Sequence, residues 1–362
     1  MNFFRRLVLT TAFIFASIIF SQTRLLAQKS YFYHDKKFGS EAMYNPFSLV
    51  LNSSYDILQL EGYPRTMFEY PYSASTANVF KNLRDPFTPI SNYGWGNFLK
   101  NEVFPINWSK SGRQWWPNYQ LHLIGGGMSY TMMKEWYEVH GFPAPSIFSI
   151  TTLATSHLLN EFVENGSYVG DNVDPISDIY IFDLGGIVLF SFDSVNEFFS
   201  EELHLTDWSL QPSFSFAPTQ LQNNGQYFSL KWKFPFSERW HLFYQFGMNG
   251  LLGLSYKYDT GEAISFGGGM RSKHLTLIDP QSNQKSGELT WNAGVFYDRE
   301  NSLLISLLVS GLEDNMVNLN VYPGIIKIGT FSPGIWCMLH RDGSPIIGVS
   351  TVWTPGVAVE TK

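Results

Sequence analysis

The amino-acid sequence predicts an α+β protein: a C-terminal antiparallel transmembrane β-barrel of about 8–12 strands, preceded by a helical plug or a periplasmic helical insert. Three observations predict this fold. Aromatic residues make up 17% of the 362 residues and charged residues only 15%, whereas a soluble domain has about 25% charged residues. An apolar segment follows two arginines at the N-terminus, and the hydrophobic period changes from helical to alternating near Thr206.

Residues 1–27 are predicted to be a cleaved signal peptide. Arg5 and Arg6 form a basic region, and residues 7–20 are an uncharged apolar stretch of about fourteen residues, the length of a signal-peptide core. Cleavage is expected after Ala27, with Ser21 as a second choice. The alternative is an uncleaved anchor. Export of this kind, followed by a barrel, predicts that the protein lies in the bacterial outer membrane.

The net charge of the chain limits the classes of partner that it can bind. The formal net charge is −7, and it becomes −10 when the three arginines of residues 1–27 are removed. An acidic chain argues against nucleic acid as a partner. Outer-membrane lipid is the main expected partner, other envelope proteins are the second class considered, and no cofactor is predicted.

Residues 28–118 are predicted to be an irregular, aromatic-rich segment with short helices. Asn45 followed by Pro46 is typical of a helix start, and we expect a helix from there to about Leu60. Tryptophans are concentrated in the second half of the segment, as an interfacial belt or as a packed aromatic corner. They are Trp95, Trp108, Trp115 and Trp116.

Residues 119–205 are predicted to form a three-helix core. The helices are expected at about 119–139, 145–164 and 174–202, and the second ends at Asn165-Gly166, a common C-terminal signal. The apolar centre of the third helix, residues 179–192, contains Asp183. An acid at this position argues against a transmembrane helix.

Residues 206–362 are predicted to form the barrel strands. Large apolar residues alternate with Ser, Lys, His and Gln over most of this region, and Asn, Asp and Gly turn signals separate the alternating stretches. A soluble β-sandwich also alternates, and the non-aromatic C-terminus counts against a barrel. The candidate strands are 227–234, 240–246, 251–258, 263–271, 288–297, 302–310, 317–322, 325–338 and 345–353.

The polar residues that could perform chemistry lie in the predicted three-helix core. His157, Glu161 and Glu164 are spaced along one helical face. If the faces meet, imidazole and carboxylate groups could bind a divalent metal or form a general acid/base pair. The other members of the candidate set are His122, Glu135, Asp171, Asp174, Asp178 and Asp183.

A structural explanation of the same residues stays open. Asp171 and Asp174 occupy positions where helix caps and first-turn acids are found, and the remaining acids could be hydrogen-bond partners between helices. His157, Glu161 and Asp178 are the candidates for catalysis, although no known catalytic signature is present. Whether a metal binds is not decided by the sequence.

Two glycine patches are predicted to be helix-packing sites. Each helical glycine costs about 1 kcal/mol relative to alanine, and close backbone approach commonly offsets this cost. We therefore expect the two patches to lie near one another. They are Gly125, Gly126, Gly127, Gly185 and Gly186.

Residues 122–190 resemble the core of an uncharacterised group of bacterial envelope proteins. The similar motifs are Leu-Ile-Gly-Gly-Gly at 123–127, Asn-Glu-Phe-Val-Glu at 160–164, Ile-Ser-Asp at 176–178 and Asp-Leu-Gly-Gly at 183–186. In some of that group the core is attached to an outer-membrane barrel. The resemblance covers about a fifth of the chain and implies an architecture but no activity. It directs attention to Glu161, Glu164, Asp178 and Asp183.

Three functions remain open from the sequence. The first is a non-enzymatic outer-membrane barrel protein serving envelope organisation, transport or a partner complex. The second is an outer-membrane enzyme that modifies lipid or lipopolysaccharide through the His157, Glu161 and Asp178 pocket. The third is a soluble periplasmic β-sandwich binding module.

Overall fold

The computed structural model describes residues 29–105, 116–216, 218–279, 284–353 and 355–360. It is a mixed α+β structure, with helices up to residue 202 and one large sheet from Thr206 onward. The predicted signal peptide, and Trp108 and Trp115 of the aromatic-rich segment, lie outside the described residues.

Between residues 29 and 105, the structure contains four α-helices, besides short 3₁₀ turns. They are α1 (Pro46–Ser54), α2 (Tyr72–Arg84), α3 (Phe87–Tyr93) and α4 (Trp95–Phe98, continued by a π-helical turn at Leu99–Val103). Helix α1 begins as its sequence predicts, because the Asn45 side chain accepts from the backbone N–H groups of Phe47 and Ser48 at 2.9 and 3.0 Å. It ends at Ser54, earlier than predicted, and a 3₁₀ turn follows at Asp56–Gln59.

Between residues 116 and 202, the structure contains four further helices. They are α5 (Trp116–Gly126 in π form, Gly127–Val139 in α form), α6 (Pro145–Asn165), α7 (Asp174–Ser177 α, Asp178–Asp183 π, Leu184–Leu189 α) and α8 (Asp193–Glu197 α, Phe198–Glu202 π). The third predicted helix is thus two helices, with an 85° bend between α7 and α8. The break falls at Phe190–Phe192, where Phe192 is extended.

Among the described residues, no single helix has both the length and the apolar character needed to cross a membrane. The bent pair Asp174–Leu189 and Asp193–Glu202 meets that test together, by length and composition alone.

Within the described residues, the sheet contains thirteen strands, more than the sequence predicted. It includes segments at 206–207, 213–216, 219–222 and 356–360 that are not among the candidate strands, while most of the predicted strand 325–338 is a loop. The strands are β1 (Thr206–Asp207), β2 (Ser213–Phe216), β3 (Thr219–Gln222), β4 (Phe228–Lys233), β5 (Trp240–Phe246), β6 (Asn249–Lys257), β7 (Glu262–Asp279), β8 (Gln284–Arg299), β9 (Ser302–Ser310), β10 (Val317–Val321), β11 (Gly334–Leu339), β12 (Pro345–Ser350) and β13 (Gly356–Glu360).

Neighbouring strands follow the order β1-β4-β5-β6-β7-β8-β9-β10-β11-β12-β13-β2-β3. Every pair is antiparallel except β13 with β2, which is parallel. Strands β1 and β3 stand at the two ends of this order and are not paired with each other, so the strand order alone does not confirm a closed barrel.

The first four strands belong to one hairpin. Residues 206–216 contain β1 and β2, and residues 219–233 contain β3 and β4. The same register holds along the hairpin, with Thr206 opposite Ser229 and Ser213 opposite Gln222. Between these pairs the backbone N–H groups of Trp208 and Leu210 donate to the carbonyls of Tyr227 and Gly225, at 2.8 and 3.0 Å.

A side chain from α1 completes this hairpin. The Asn52 amide donates to the carbonyl of Leu210 at 3.1 Å and accepts from the N–H of Gly225 at 2.8 Å. These are the two backbone groups that a regular antiparallel rung would join directly. The carboxamide, which has one donor and one acceptor side like a peptide group, therefore takes the place of one rung.

The faces of the sheet have unusual polarity. Side chains that are directly opposite on paired strands share a face, and one such row crosses ten strands with apolar residues only. It consists of Trp232, Leu242, Leu254, Phe266, Val295, Leu307, Leu319, Cys337, Ile347 and Val359. Much of this row is exposed, for example 51% of Val295 and 62% of Val359.

The opposite face is buried and rich in polar groups. It includes His241, Gln245, Ser255, Ser265, Asn292, Ser306, Ser310, Asn318, Asn320 and Ser350, each at most 4% exposed. Strands that are not neighbours contact one another across this face. The Trp336 indole of β11 donates to the Ser213 hydroxyl of β2 at 2.9 Å, and Lys231 of β4 pairs with Asp298 of β8. The sheet therefore curls strongly around its polar face.

The helices pack against the other face, at β4 and β5. Phe228 and Phe246 are completely buried among residues of α5 and its neighbours, and they belong to the same row as the exposed Met270 and Trp291. The Trp116 indole donates to the Gly247 carbonyl at 3.2 Å. The helical part thus covers one side of the apolar face.

Candidate functional site

A group of histidines and carboxylates is buried where α5, α6 and α7 meet. Nδ1 of His122 on α5 lies 2.9 Å from Oδ1 of Asp183 on α7, and Nε2 of the same ring lies 3.4 Å from Oδ2 of Asp178. Nδ1 of His157 on α6 lies 2.6 Å from Oδ2 of Asp183. Asp183 therefore stands between the two imidazoles, one carboxylate oxygen toward each.

The π-helical turns of α5 and α7 produce this arrangement. Asp178 and Asp183 are the first and last residues of one π-helical segment. Five residues turn an α-helix by about 500°, which leaves such side chains about 140° apart. In a π-helix the backbone hydrogen bonds join residues five apart, so both carboxylates reach the same ring. His122 is itself in a π-helical segment, and π segments are frequent at functional sites.

Burial and mutual charge shift the pKa values of this group in opposite directions. Burial alone would lower the pKa of His122, but the neighbouring carboxylates of Asp178 and Asp183 raise it well above its usual value. For Asp183, burial opposes ionisation, yet His157 and His122 bring its pKa down to about 2. Burial raises the pKa of Asp178 well above the usual value, and its acidic neighbours add to this although His122 opposes it.

Further acids continue the site beyond Asp178. Burial raises the pKa of Glu161 well above its usual value, and the charges of Asp178, Asp174 and Glu164 add to that effect. The pKa values of Glu164 and Asp174 are raised by burial and, for Glu164, by Asp174. Ionised together, these carboxylates would repel one another in a poorly solvated region.

Two members of this acidic group lie outside the predicted three-helix core. Glu102 of α4 is 3% exposed, and burial together with Asp174 and Asp178 raises its pKa well above the usual value. Burial and the charge of Glu164 raise the pKa of Asp56 to about 7. Both lie in the irregular segment, where the sequence shows no periodicity that would connect them with α6 and α7.

Two of the sequence candidates lie elsewhere. The Glu135 carboxylate accepts from the backbone N–H groups of Tyr31, Phe32 and Tyr33, at 2.7, 2.9 and 2.8 Å, so it holds the N-terminal segment against α5. Asp171 accepts from the Asn92 amide at 2.6 Å and faces α3. Neither Glu135 nor Asp171 contacts the two histidines, because both acids are hydrogen-bonded to residues outside the predicted three-helix core.

The glycine patches allow the backbones of α5 and α7 to approach closely. A Cβ atom added at Gly127 would lie 2.7 Å from the Gly186 carbonyl oxygen, and one at Gly186 would lie 2.6 Å from the Leu123 carbonyl oxygen. A Cβ at Gly185 would lie 3.2 Å from the Leu123 side chain. This approach sets the distance between His122 and the acids of α7.

The other two glycines of the first patch face different neighbours. A Cβ at Gly126 would lie 3.2 Å from Cε1 of His157, and one at Gly125 would lie 2.5 Å from the Phe228 ring of β4. Glycine at these positions therefore leaves room for the second imidazole and for the contact between the helices and the sheet.

The chemistry available to the site follows from its donors. One ligand atom from each of His122, His157 and Asp183 lies within 4.8 Å of the other two, close enough for one metal ion after small movements. The imidazole and carboxylate pairs also suit proton transfer. A basic side chain at the acidic end of the site is Lys285, whose ammonium donates to the Glu164 backbone carbonyl. The set of donors therefore favours a cationic ligand over an anionic one.

The comparisons with known proteins give no family to compare this site with. No family model, no curated protein and no solved structure matches the chain.

Proposed function

We propose that this protein is an outer-membrane β-barrel protein whose helical part packs beside the barrel, and that it acts as a membrane-embedded scaffold in envelope organisation or a partner complex. The exposed apolar row from Trp232 to Val359 supports this proposal most strongly. A soluble sandwich would bury its apolar face and hydrate the polar one. This sheet has the reverse polarity, which suits contact with hydrocarbon.

Closure of the barrel is proposed to occur through the first hairpin. The first arm of the hairpin, residues 206–216, pairs with β13 through β2. It pairs with the second arm, residues 219–233, through both β1 and β2. The second arm pairs with β5 through β4. If β1 and β2 are counted as one strand, and β3 and β4 as another, every strand then has two paired neighbours. Counted in this way, the sheet closes on itself. The thirteen strands then become eleven. A closed barrel of otherwise antiparallel strands needs one parallel pair when its number of strands is odd, and here that is the β13–β2 pair.

The barrel is proposed to have a filled interior and to serve as a scaffold instead of a pore. The rings of Trp208, Phe243 and Phe296 pack against one another, with centroids 5.3–5.8 Å apart, and all three are completely buried. Asn223 donates to Asn320 across the same face at 2.8 Å. Side chains that fill the interior in this way leave little room for solute passage.

The helical part is proposed to lie beside the barrel because α5 packs on the apolar face of the sheet, at Phe228 and Phe246. A plug would contact the polar face. The resemblance of residues 122–190 to envelope proteins with an attached barrel, and the signal-peptide pattern of residues 1–27, support the same location. Outer-membrane lipid is then the main partner, with other envelope proteins as possible members of a complex and no nucleic acid.

Heat-modifiable gel migration of membrane fractions tests this proposal. We expect the chain to fractionate with outer membranes and to change its apparent mass on boiling. Leu307→Arg, at the middle of the apolar row, should impair assembly, because a lipid-facing arginine costs about 2–4 kcal/mol at the bilayer midplane. The matched control is Ile328→Arg, at a 66% exposed loop position. A soluble chain without heat modifiability, or equal behaviour of the two variants, would refute the proposal.

The second candidate function is modification of lipid or lipopolysaccharide at the histidine and carboxylate group. The observation that favours it is the contact of His122 with two buried carboxylates, because imidazole and carboxyl groups are common proton-transfer groups in catalysis. Glu161→Gln and Asp178→Asn test it. An altered lipid profile with unchanged heat modifiability supports an enzyme, whereas an unaltered lipid profile in correctly assembled variants refutes one.

A further inference from the structure

We propose that His122, His157 and Asp183 bind one divalent first-row transition-metal ion of the zinc class in the helical part of this protein. The three residues come from three different helices, α5, α6 and α7. Both Nδ1 atoms face the Asp183 carboxylate, at 2.9 and 2.6 Å from its two oxygens. The ion would thus be held at the junction of the helices, whether or not the sheet lies in a membrane.

The hydrogen bonding of Asp183 suits a bound cation. Its Oδ2 atom is buried and, within the described residues, has no hydrogen-bond partner. The His157 nitrogen is only 2.6 Å away, yet the pair lacks the alignment of a hydrogen bond. A buried carboxylate oxygen without a partner is costly. A cation shared with the imidazole would satisfy both atoms.

The surrounding charge has the sign that a cation requires. Glu161, Asp178 and Glu102 are each at most 6% exposed, and Oε2 of Glu102 is also buried with no hydrogen-bond partner in the part of the chain that the structure describes. Burying several carboxylates side by side is unfavourable unless they are protonated or paired with positive charge. A divalent ion at the two imidazoles supplies that charge where the acids converge.

The donor set identifies the class of ion. Two imidazole nitrogens and one carboxylate match zinc, iron(II) and similar ions, whereas calcium and magnesium prefer oxygen ligands alone. Three protein ligands leave a coordination position for water or substrate. Asp178 then has a supporting role, because its oxygen lies 3.4 Å from the other nitrogen of His122. Carboxylates in this position orient metal-binding histidines.

Metal titration of the full chain tests the proposal. The protein is purified in detergent without a polyhistidine tag, treated with a chelator and titrated with zinc(II), and separately with cobalt(II) as a spectroscopic probe. We expect one zinc ion per chain and cobalt absorption bands in the visible range with nitrogen ligation. Binding should weaken as the pH falls, because protons compete for the imidazoles.

Variants locate the ion. Asp183→Asn and His157→Gln should each weaken zinc binding at least 100-fold, and Asp178→Asn by about 10–100-fold, as is usual for a residue that orients a ligand. The matched controls, His140→Ala and Asp171→Asn, remove an exposed histidine and an acid outside the site and should bind as the unmodified chain does.

The wild-type measurements decide the matter even if a site variant misfolds. Absence of stoichiometric zinc binding, or a cobalt spectrum without nitrogen ligation, would overturn the proposal. So would undiminished binding in correctly folded Asp183→Asn, or loss of binding in His140→Ala.

Discussion

Replacement of Asn52 by leucine tests the role of its amide in the first hairpin. The variant keeps the number of side-chain heavy atoms and their branching but has neither donor nor acceptor. It removes the bonds to the Leu210 carbonyl at 3.1 Å and to the Gly225 N–H at 2.8 Å. Asn52 is 1% exposed, so water cannot easily replace the amide.

The expected loss follows from the two backbone groups left without a partner. Each buried unsatisfied group costs about 1–3 kcal/mol, so Asn52→Leu should lower the free energy of unfolding by about 2–6 kcal/mol. Asn52→Asp keeps an acceptor for Gly225. Only its protonated carboxyl can donate to Leu210, so the variant should lose stability as the pH rises.

Urea unfolding in lipid vesicles, followed by the heat-modifiable gel band, measures these effects. The matched control is Asn97→Leu, which makes the same substitution at an exposed helical position. A free energy of unfolding for Asn52→Leu within about 0.5 kcal/mol of the unmodified chain, the usual range for surface changes, would show that the hairpin does not depend on this rung.

Three further predictions concern the helical part. Gly127→Ala should destabilise the protein by about 1–3 kcal/mol in urea unfolding, because its Cβ would lie 2.3 Å from the Phe190 ring, whereas Gly96→Ala, with no atom within 4 Å, should not; equal effects would contradict the packing argument. Glu135→Ala leaves three backbone N–H groups without their acceptor and should expose residues 29–45 to trypsin more than Glu135→Gln does. Unchanged cleavage would show that Glu135 does not hold this segment against α5. Burial raises the pKa of Glu41, but contacts with His34 and Lys36 outweigh it and leave the pKa below 4.5. The stabilisation that the ionised Glu41 carboxylate gives the folded chain is therefore complete above pH 4.5. It is lost as the pH falls through the lower pKa that Glu41 has in the folded chain. Trypsin cleavage of residues 29–45 should increase as the pH falls below 4.5. If Glu41→Gln shows the same dependence of cleavage on pH as the unmodified chain, the role of Glu41 is disproved.

Several features of the fold could be predicted from local sequence. The Asn45-Pro46 pair marks the start of α1, and the alternation of large apolar residues with Ser, Lys and Gln marks β4 and β5. Both are local effects of capping and of side-chain direction along a strand. The predicted strand at 325–338 was largely wrong because apolar residues also occupy a loop there, and periodicity cannot distinguish these cases.

The members of the candidate site could be predicted only in part. His122, His157 and Asp183 were named from residue type and helical spacing, and the structure brings them together. Glu102 and Asp56 were not named, and Glu135 was grouped with the site although it binds the backbone of residues 31–33. Such partners are far apart in the chain, and one sequence carries no signal for distant contacts.

By itself, the sequence determined the α+β class and the alternation that makes one face of the sheet apolar, because capping, turns and side-chain period act over a few residues. Only the tertiary structure decided that the polar face is the buried one, that Asn52 completes the first hairpin and that two π-helical segments direct His122 and Asp183 toward each other. These features depend on contacts between segments up to about 170 residues apart, whose geometry is set by packing of the whole chain.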